Sequence, residues 1–377
     1  MSDERLLRTF LELVRIDSPS GREAGVRDYC AAELRGLGFT VTEDGTGAAV
    51  GGDSGNLVCV LPATAPGSAI ALCAHMDCVP PCACVEPAVS ADGVVRSGGD
   101  TVLGADDKGG IAAVLEAVRR VVESGRPHAE VRVLLTVGEE VGLRGAKQLA
   151  RDAVEGAAAA FVFDADGEVG GIVTASPTHY TFVAQFHGRA SHAGVAPEKG
   201  RSALLMASRA VAAMQLGRLD ERTTANVGTI EGGRATNVVP ESVTMTGECR
   251  SLDEERVEAV REVMDAAMRD AARSEGGSVD VHWTREYRGQ SLAEDSPAVV
   301  MARAACERAG VEPRCYATGG GSDANVIAAL GVPTLVLASG MRDVHGTSEW
   351  IAVRELERCC ALAEAFMALA CEGGGAA

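Results

Sequence analysis

Gly104-Ala105-Asp106-Asp107-Lys108-Gly109-Gly110 joins a turn to a long apolar helix running from Ile111 to Val122. Two adjacent carboxylates where a helix begins do nothing for packing, and the glycines around them let backbone come close to whatever those carboxylates hold. The stretch reads as a metal-binding turn, and the segments on either side of it decide the fold. Upstream, Ala69 to Ala74 is an apolar run of strand length that ends in His75-Met76-Asp77. Period-two alternation puts His75 and Asp77 on one side of that strand end. Downstream, Val131 to Val137 ends in Gly138-Glu139-Glu140-Val141-Gly142, and Ala157 to Phe163 ends in Asp164-Ala165-Asp166. Three strands therefore deliver imidazole or carboxylate at their C-terminal ends. That edge is where open α/β sheets place their sites.

The rest of the chain supplies the layers such a sheet needs. Leu6, Leu7, Phe10, Leu11, Leu13 and Val14 have helical spacing, Ser18-Pro19-Ser20-Gly21 stops that helix, and a second is expected from about Glu23 to Leu37. Strands are expected at 39–42 and 56–61, then an irregular Pro- and Cys-bearing loop to Gly99. Alternating helices and apolar strands imply an α/β fold, a mainly parallel sheet with helices on both faces. After Pro177 the order becomes strand (179–187), helix (201–216), strand (224–231), strand (242–250), helix (253–273) and strand (278–283). This is βαββαβ, the ferredoxin-like order, inserted into the first domain. The expected division is 1–176 with 290–377 for the metal-binding domain and 177–289 for the insert. The alternation resumes with a helix at 296–309, a Gly-rich turn Gly319-Gly320-Gly321-Ser322-Asp323 into a helix, a buried strand at 334–337 and a polar loop holding His345. A helix from Val353 to Ala370 follows, and the tail from Glu372 to Ala377 is expected to be disordered.

Composition narrows the function classes. A chain of 377 residues has room for two domains and a large core. Its 53 acidic and 35 basic residues give a formal charge of −18, which argues against nucleic acid or an anionic membrane as partner. No apolar run approaches a membrane span, and Met1-Ser2-Asp3-Glu4-Arg5 does not open a secretory signal, so a soluble, cytoplasmic protein is expected. Twelve cysteines then read as reduced thiols. Cys73, Cys78, Cys82 and Cys84 form the one suggestive group, but their spacing lacks the paired knuckles of structural zinc. A cysteine-based metal store is the reading they would support.

Carboxylates and imidazoles without thiolates suit zinc, cobalt or manganese. Two such ions about 3.5–4 Å apart need a shared carboxylate and a few terminal ligands each, and could activate water while polarising a carbonyl. His75, Asp106, Glu140, Asp164 and His345 supply that number of donors. Glu139, beside a ligand but on the other side of its strand end, is placed to act as the base. Taken singly, each residue has a structural explanation: a satisfied core histidine, a solvated strand exit, a carboxylate favoured by the helix dipole. His128, His179, His187 and His282 have no partner motif and are assigned to structure. No Gly-x-Ser-x-Gly elbow supports a serine nucleophile.

Ala74-His75-Met76-Asp77, the Gly104 to Gly110 stretch, Val137 to Gly142, Phe163-Asp164, Ala190-Ser191-His192-Ala193-Gly194 and the late His345 stand in an order that resembles the M20 metallopeptidases, above all their peptidase T-like branch, over essentially the whole length. The resemblance implies that Asp106 bridges two divalent metal ions, one also held by His75 and Asp164 and the other by Glu140 and His345. It implies a cis bond between Asp106 and Asp107, Asp77 orienting His75, and Glu139 as general base and later acid. It makes the insert a lid and dimerisation domain whose His192 stabilises the oxyanion, with Asn237 and Arg250 as substrate contacts. The activity implied is that of an exopeptidase, aminopeptidase-like, on di- and tripeptides. An acylase or deacetylase of N-acylated amino acids on the same scaffold, or a catalytically silent metal-binding protein, are the alternatives. Two positions depart from the pattern: Cys78 replaces a usual threonine, and Gly319 stands where tripeptidases of this type carry an arginine that helps hold the peptide carboxylate.

Overall fold

The computed structural model describes residues 2–372, so the expected disorder beyond Glu372 lies outside the described residues. The chain divides into two compact units. The first takes the residues up to Thr174, Ser291–Ala317 and those from Ser322 on; the second takes Ala175–Gln290 with Thr318–Gly321. Those last four residues go with the second unit because Gly321 lies under Tyr287, where a Cβ would meet the ring at 2.2 Å.

In the first unit, Val131–Thr136, Ala69–His75, Ala157–Ala165 and Thr334–Ala338 lie side by side and parallel. Antiparallel strands flank them, Leu57–Leu61 with Thr40–Glu43 on one edge and Gly171–Ser176 on the other. Alternate residues of Ala69–His75 load two different cores. Ile70, Leu72 and Ala74 pack with the helices Ala105–Glu123 and Val353–Glu372, whereas Ala71 and Cys73 pack with Ala324 and Ile327 of the helix Asp323–Ala329. A strand covered on both faces has no polar alternation, which is why it reads as an unbroken apolar run. The mainly parallel sheet between helical layers is the expected fold class.

The second unit is a five-stranded antiparallel sheet with the helices Ala203–Ala213 and Glu254–Ser274 packed on it through Phe182, Phe186, Met206, Met245, Val257 and Met268. The expected βαββαβ order is present, with one extra short strand, Gly217–Asp220. Another difference lies in the first unit. The loop read as irregular to Gly99 contains a hairpin, Pro87–Val89 with Val94–Ser97, in a small sheet with Met341–Arg342 and Trp350–Ala352. Strands this short give alternation too few residues to register. No helix among the described residues is long and apolar enough to cross a membrane.

One polar cluster inside the first unit sets a stability expectation. The Glu116 carboxylate is fully buried and accepts from Arg5 Nε at 2.9 Å, Arg119 Nη1 at 2.8 Å and Arg120 Nε at 3.0 Å. Burial pushes the Glu116 carboxyl up, but the arginines outweigh it and hold it below the ordinary carboxylate range. Because the folded value is depressed, the contribution is complete above a pH of about 4.3 and is lost as pH falls below it. Glu116→Ala removes the carboxylate shared by three guanidiniums, each of which keeps one other acid (Glu123, Glu33 and Glu364), and is expected to cost about 2 kcal/mol at neutral pH, by urea unfolding. The difference from the unsubstituted chain should shrink as pH is lowered.

Candidate metal centre

The strand ends and the Asp106 turn converge. His75 closes its strand and is 1% exposed. Its Nε2 lies 3.0 Å from Asp106 Oδ1 and 3.5 Å from Asp164 Oδ1. The other Asp106 oxygen, Oδ2, lies 3.2 Å from Nε2 of His345, and that nitrogen is 3.1 Å from Glu140 Oε2. Asp106 thus turns one carboxylate oxygen to each of two imidazoles, and each imidazole has one further carboxylate of its own. His345 adopts a left-handed backbone, φ 63°, in an exposed loop that also holds Asp343 at φ 52°.

Local backbone makes the turn possible. Helix Ala105–Glu123 is interrupted at its start, with Asp106 at φ −84°, ψ 104° and Asp107 at φ −118°, ψ 29°, and the bond between them is cis. Gly104 is left-handed at φ 76°, a conformation in which glycine has no steric penalty. A Cβ on Gly110 would fall 2.4 Å from Asp107 Oδ1 and 2.6 Å from the Phe163 carbonyl, so only glycine leaves space for Asp107 there. Asp107 is buried, with Oδ2 accepting from the His75 amide at 3.2 Å and Oδ1 without a hydrogen-bond partner. Its donor atom also falls within 4.8 Å of those of His75 and Asp164, which makes it a candidate ligand that the sequence reading passed over.

Asp77 does more than face an imidazole. The nearer partner of His75 Nδ1 is the Asp77 carbonyl oxygen at 3.0 Å, with the carboxylate Oδ1 at 3.4 Å. The carboxylate is occupied instead by the Glu139 amide at 3.0 Å, the Glu140 amide at 3.3 Å and the Ser20 hydroxyl at 2.6 Å. Burial pushes Asp77 up, but His75 and these donors hold its carboxyl below the usual range. One side chain therefore locks the end of the His75 strand to the segment carrying Glu139 and Glu140.

Three further carboxylates support the centre and carry no local sequence signal. Asp323 accepts from Thr136 Oγ1 and leaves Oδ1 buried and unpaired. Glu23 accepts from the Gly21 amide at 2.8 Å and the Gly138 amide at 3.1 Å. Glu349 accepts from the amides of Gly104 and Asp106.

So much buried negative charge needs positive charge. Burial and neighbouring carboxylates push Asp164 up to about 7 and Asp323 up to about 6, and Glu139, half-buried, is raised by burial and by the charge of Asp164. His345 is raised to about 10 by its bonds to Asp106 and Glu140. Glu140 Oε1 is buried without a hydrogen-bond donor, as expected of an oxygen whose partner is a cation. Nitrogen and oxygen donors in this arrangement fit divalent ions of the zinc, cobalt and manganese class. Thiols take no part: Cys78 donates to the Asp106 carbonyl at 3.4 Å and burial pushes it up to about 12, and among the described residues no cysteine enters a metal-binding group. The cysteine store loses its support.

The remaining site residues lie in the second unit. His192 is exposed and forms a bridge to Val238, with the Ala193 amide donating to the Asn237 carbonyl at 2.9 Å, so His192 and Asn237 come together. Arg250 is not with them. It lies at the other end of strand Ser242–Ser251, opposite His179, tied to both oxygens of Glu248 at 3.1 and 2.9 Å. Eight steps at about 3.4 Å separate Arg250 from Ser242, roughly 27 Å.

A family model described as peptidase family M20/M25/M40 matches residues 71–369. The chain belongs to this family. As an M20/M25/M40 peptidase it is a metal-dependent hydrolase. Among solved structures it is similar to aminopeptidase PepT of Bacillus cereus, at 43% identity over 97% of this chain and 98% of that one, TM-score 0.90. A tripeptidase of Staphylococcus aureus is 34% identical over 98% and 99%, TM-score 0.94. YqjE, an uncharacterised protein of Bacillus subtilis, is 41% identical over 97% of this chain and 98% of its own length. The peptidase T-like branch of the M20 family that the motifs indicate is the one the PepT and tripeptidase structures represent.

Proposed function

We propose that this chain is a cytoplasmic aminopeptidase that removes residues from small peptides with two divalent ions, zinc foremost, shared through Asp106. The observation that carries the reading is that the two oxygens of Asp106 face two different imidazoles. His75 and Asp164 would complete one half-site, Glu140 and His345 the other. When bound, the ions supply a lowered water pKa and a polarised carbonyl.

The chain's own groups do the rest. Glu139 takes a proton from the attacking water and delivers it to the leaving amine, and its amide is fixed by Asp77. His192 supplies a donor to the oxyanion, and Asn237 and Arg250 contact the substrate. His192 and Asn237 lie beyond the Ser242 end of strand Ser242–Ser251, and Arg250 lies at its other end. That separation favours a homodimer in which the two ends serve different sites.

Metal analysis of the purified chain, with a panel of di- and tripeptides and N-acetyl amino acids, tests the reading. Two ions per chain and chelator-sensitive cleavage of peptides with a free amine are expected. Preference for N-acetyl substrates would make it a deacylase, and folded protein that takes up no metal would reject the reading altogether.

A further inference from the structure

We infer that Glu349 is a positioning residue that builds the Glu140–His345 half-site by holding Asp106 and the His345 loop as one piece. The inference rests on the two-ion reading above. Glu349 is 2% exposed. Its Oε2 accepts from the Gly104 amide at 2.7 Å and its Oε1 from the Asp106 amide at 2.9 Å. Helix Ala105–Glu123 has no side-chain cap of its own at Gly104, so this carboxylate, from 243 residues away, satisfies amides at the helix start.

The same residue is the buried end of the loop that carries His345. That loop spans the turn between Met341–Arg342 and Trp350–Ala352, and His345, four residues before Glu349, is exposed. Val344, beside His345, packs against the core, and the side-chain hydrogen bonds that also tether the loop lie at the surface: Arg96 Nη1 donating to the Ser348 carbonyl at 2.9 Å, and Trp350 Nε1 donating to Asp343 Oδ2 at 3.1 Å. Glu349 thus bonds the amide of the residue whose Oδ2 lies 3.2 Å from His345 Nε2. Loop and turn close a ring through that contact, and without Glu349 the ring loses its buried hydrogen bonds to the Asp106 turn. The His75–Asp164 half-site is held otherwise, by the sheet and by Asp77.

Glutamine at 349 keeps one acceptor oxygen and sets an NH2 group against the second amide. Zinc titration by calorimetry into the chelator-stripped full chain should show two sites in the unsubstituted protein. In Glu349→Gln one site keeps its affinity and the other weakens by about 10–100-fold, the usual effect of removing a partner behind the ligands. kcat for a dipeptide should fall with little change in KM, and Glu349→Asp, which keeps the carboxylate, should recover part of the lost affinity. In a His345→Ala background, adding Glu349→Gln should leave the surviving site unchanged. Two sites at full affinity with only a lower Tm, equal weakening of both sites, or further loss in the His345→Ala background would each overturn the inference. Failure of the unsubstituted chain to bind two ions would instead remove the reading beneath it, and the inference with it.

Discussion

Glu139→Gln is expected to lower kcat by about 10²–10⁴-fold, the range for loss of a positioned general acid–base, while leaving the metal content of the protein intact. The expectation follows from where Glu139 is held. Its amide donates to Asp77 Oδ1, so the backbone course into Glu140 does not depend on the Glu139 side chain. Glutamine matches the shape of the carboxylate but cannot take a proton, so the change removes the proton shuttle alone. KM for a small peptide should move little, since the group acts on the water and the leaving amine. Elemental analysis beside steady-state kinetics checks both halves. Loss of activity and metal together would make Glu139 a ligand or a structural residue.

Asp106→Asn should have the second large effect, and a different one. Each Asp106 oxygen serves a separate imidazole-bearing half-site, at 3.0 Å and 3.2 Å. Asparagine offers one oxygen and one NH2, so one half-site loses its acceptor and meets a donor in its place. Metal content should fall below two per chain, and activity should drop to that of the chelator-treated unsubstituted enzyme. Asp107→Asn is the informative companion, because Asp107 also lies within reach of His75 and Asp164. A larger loss of metal from Asp107→Asn than from Asp106→Asn would move the bridge to the neighbouring carboxylate.

What could be read from the sequence followed physical lines. His75, Glu140 and Asp164 were legible because each closes an apolar run, and a run that stops at a ligand-type residue is a local signal. Asp106 was legible because its glycines and paired carboxylates have no packing purpose. The supporting residues were not. Asp323 reaches Thr136 across 187 residues and Glu349 reaches Asp106 across 243, and hydrogen bonds over such separations leave no periodicity to detect. Asp323 stood in a Gly-rich turn noticed for a missing arginine, and its buried, unpaired oxygen emerges only with the fold. Asn237 and Arg250 are both expected as substrate contacts, and only the register of the second sheet shows that Arg250 lies opposite His179 while Asn237 lies beyond the Ser242 end.

The first unit is discontinuous: its last piece begins at Ser322, after the whole second unit. That order has a consequence for biosynthesis. A ribosome makes His75, Asp106, Glu140 and Asp164 before the second unit, but His345 and Glu349 only after it. The helix Val353–Glu372, which covers Ala105–Glu123, comes later still. A nascent chain can therefore present His75, Asp106, Glu140 and Asp164 while His345 does not yet exist, and the five proposed ligands can come together only after the second unit has been made. The insert thus separates in time the making of the strand-end ligands from the making of His345 and Glu349.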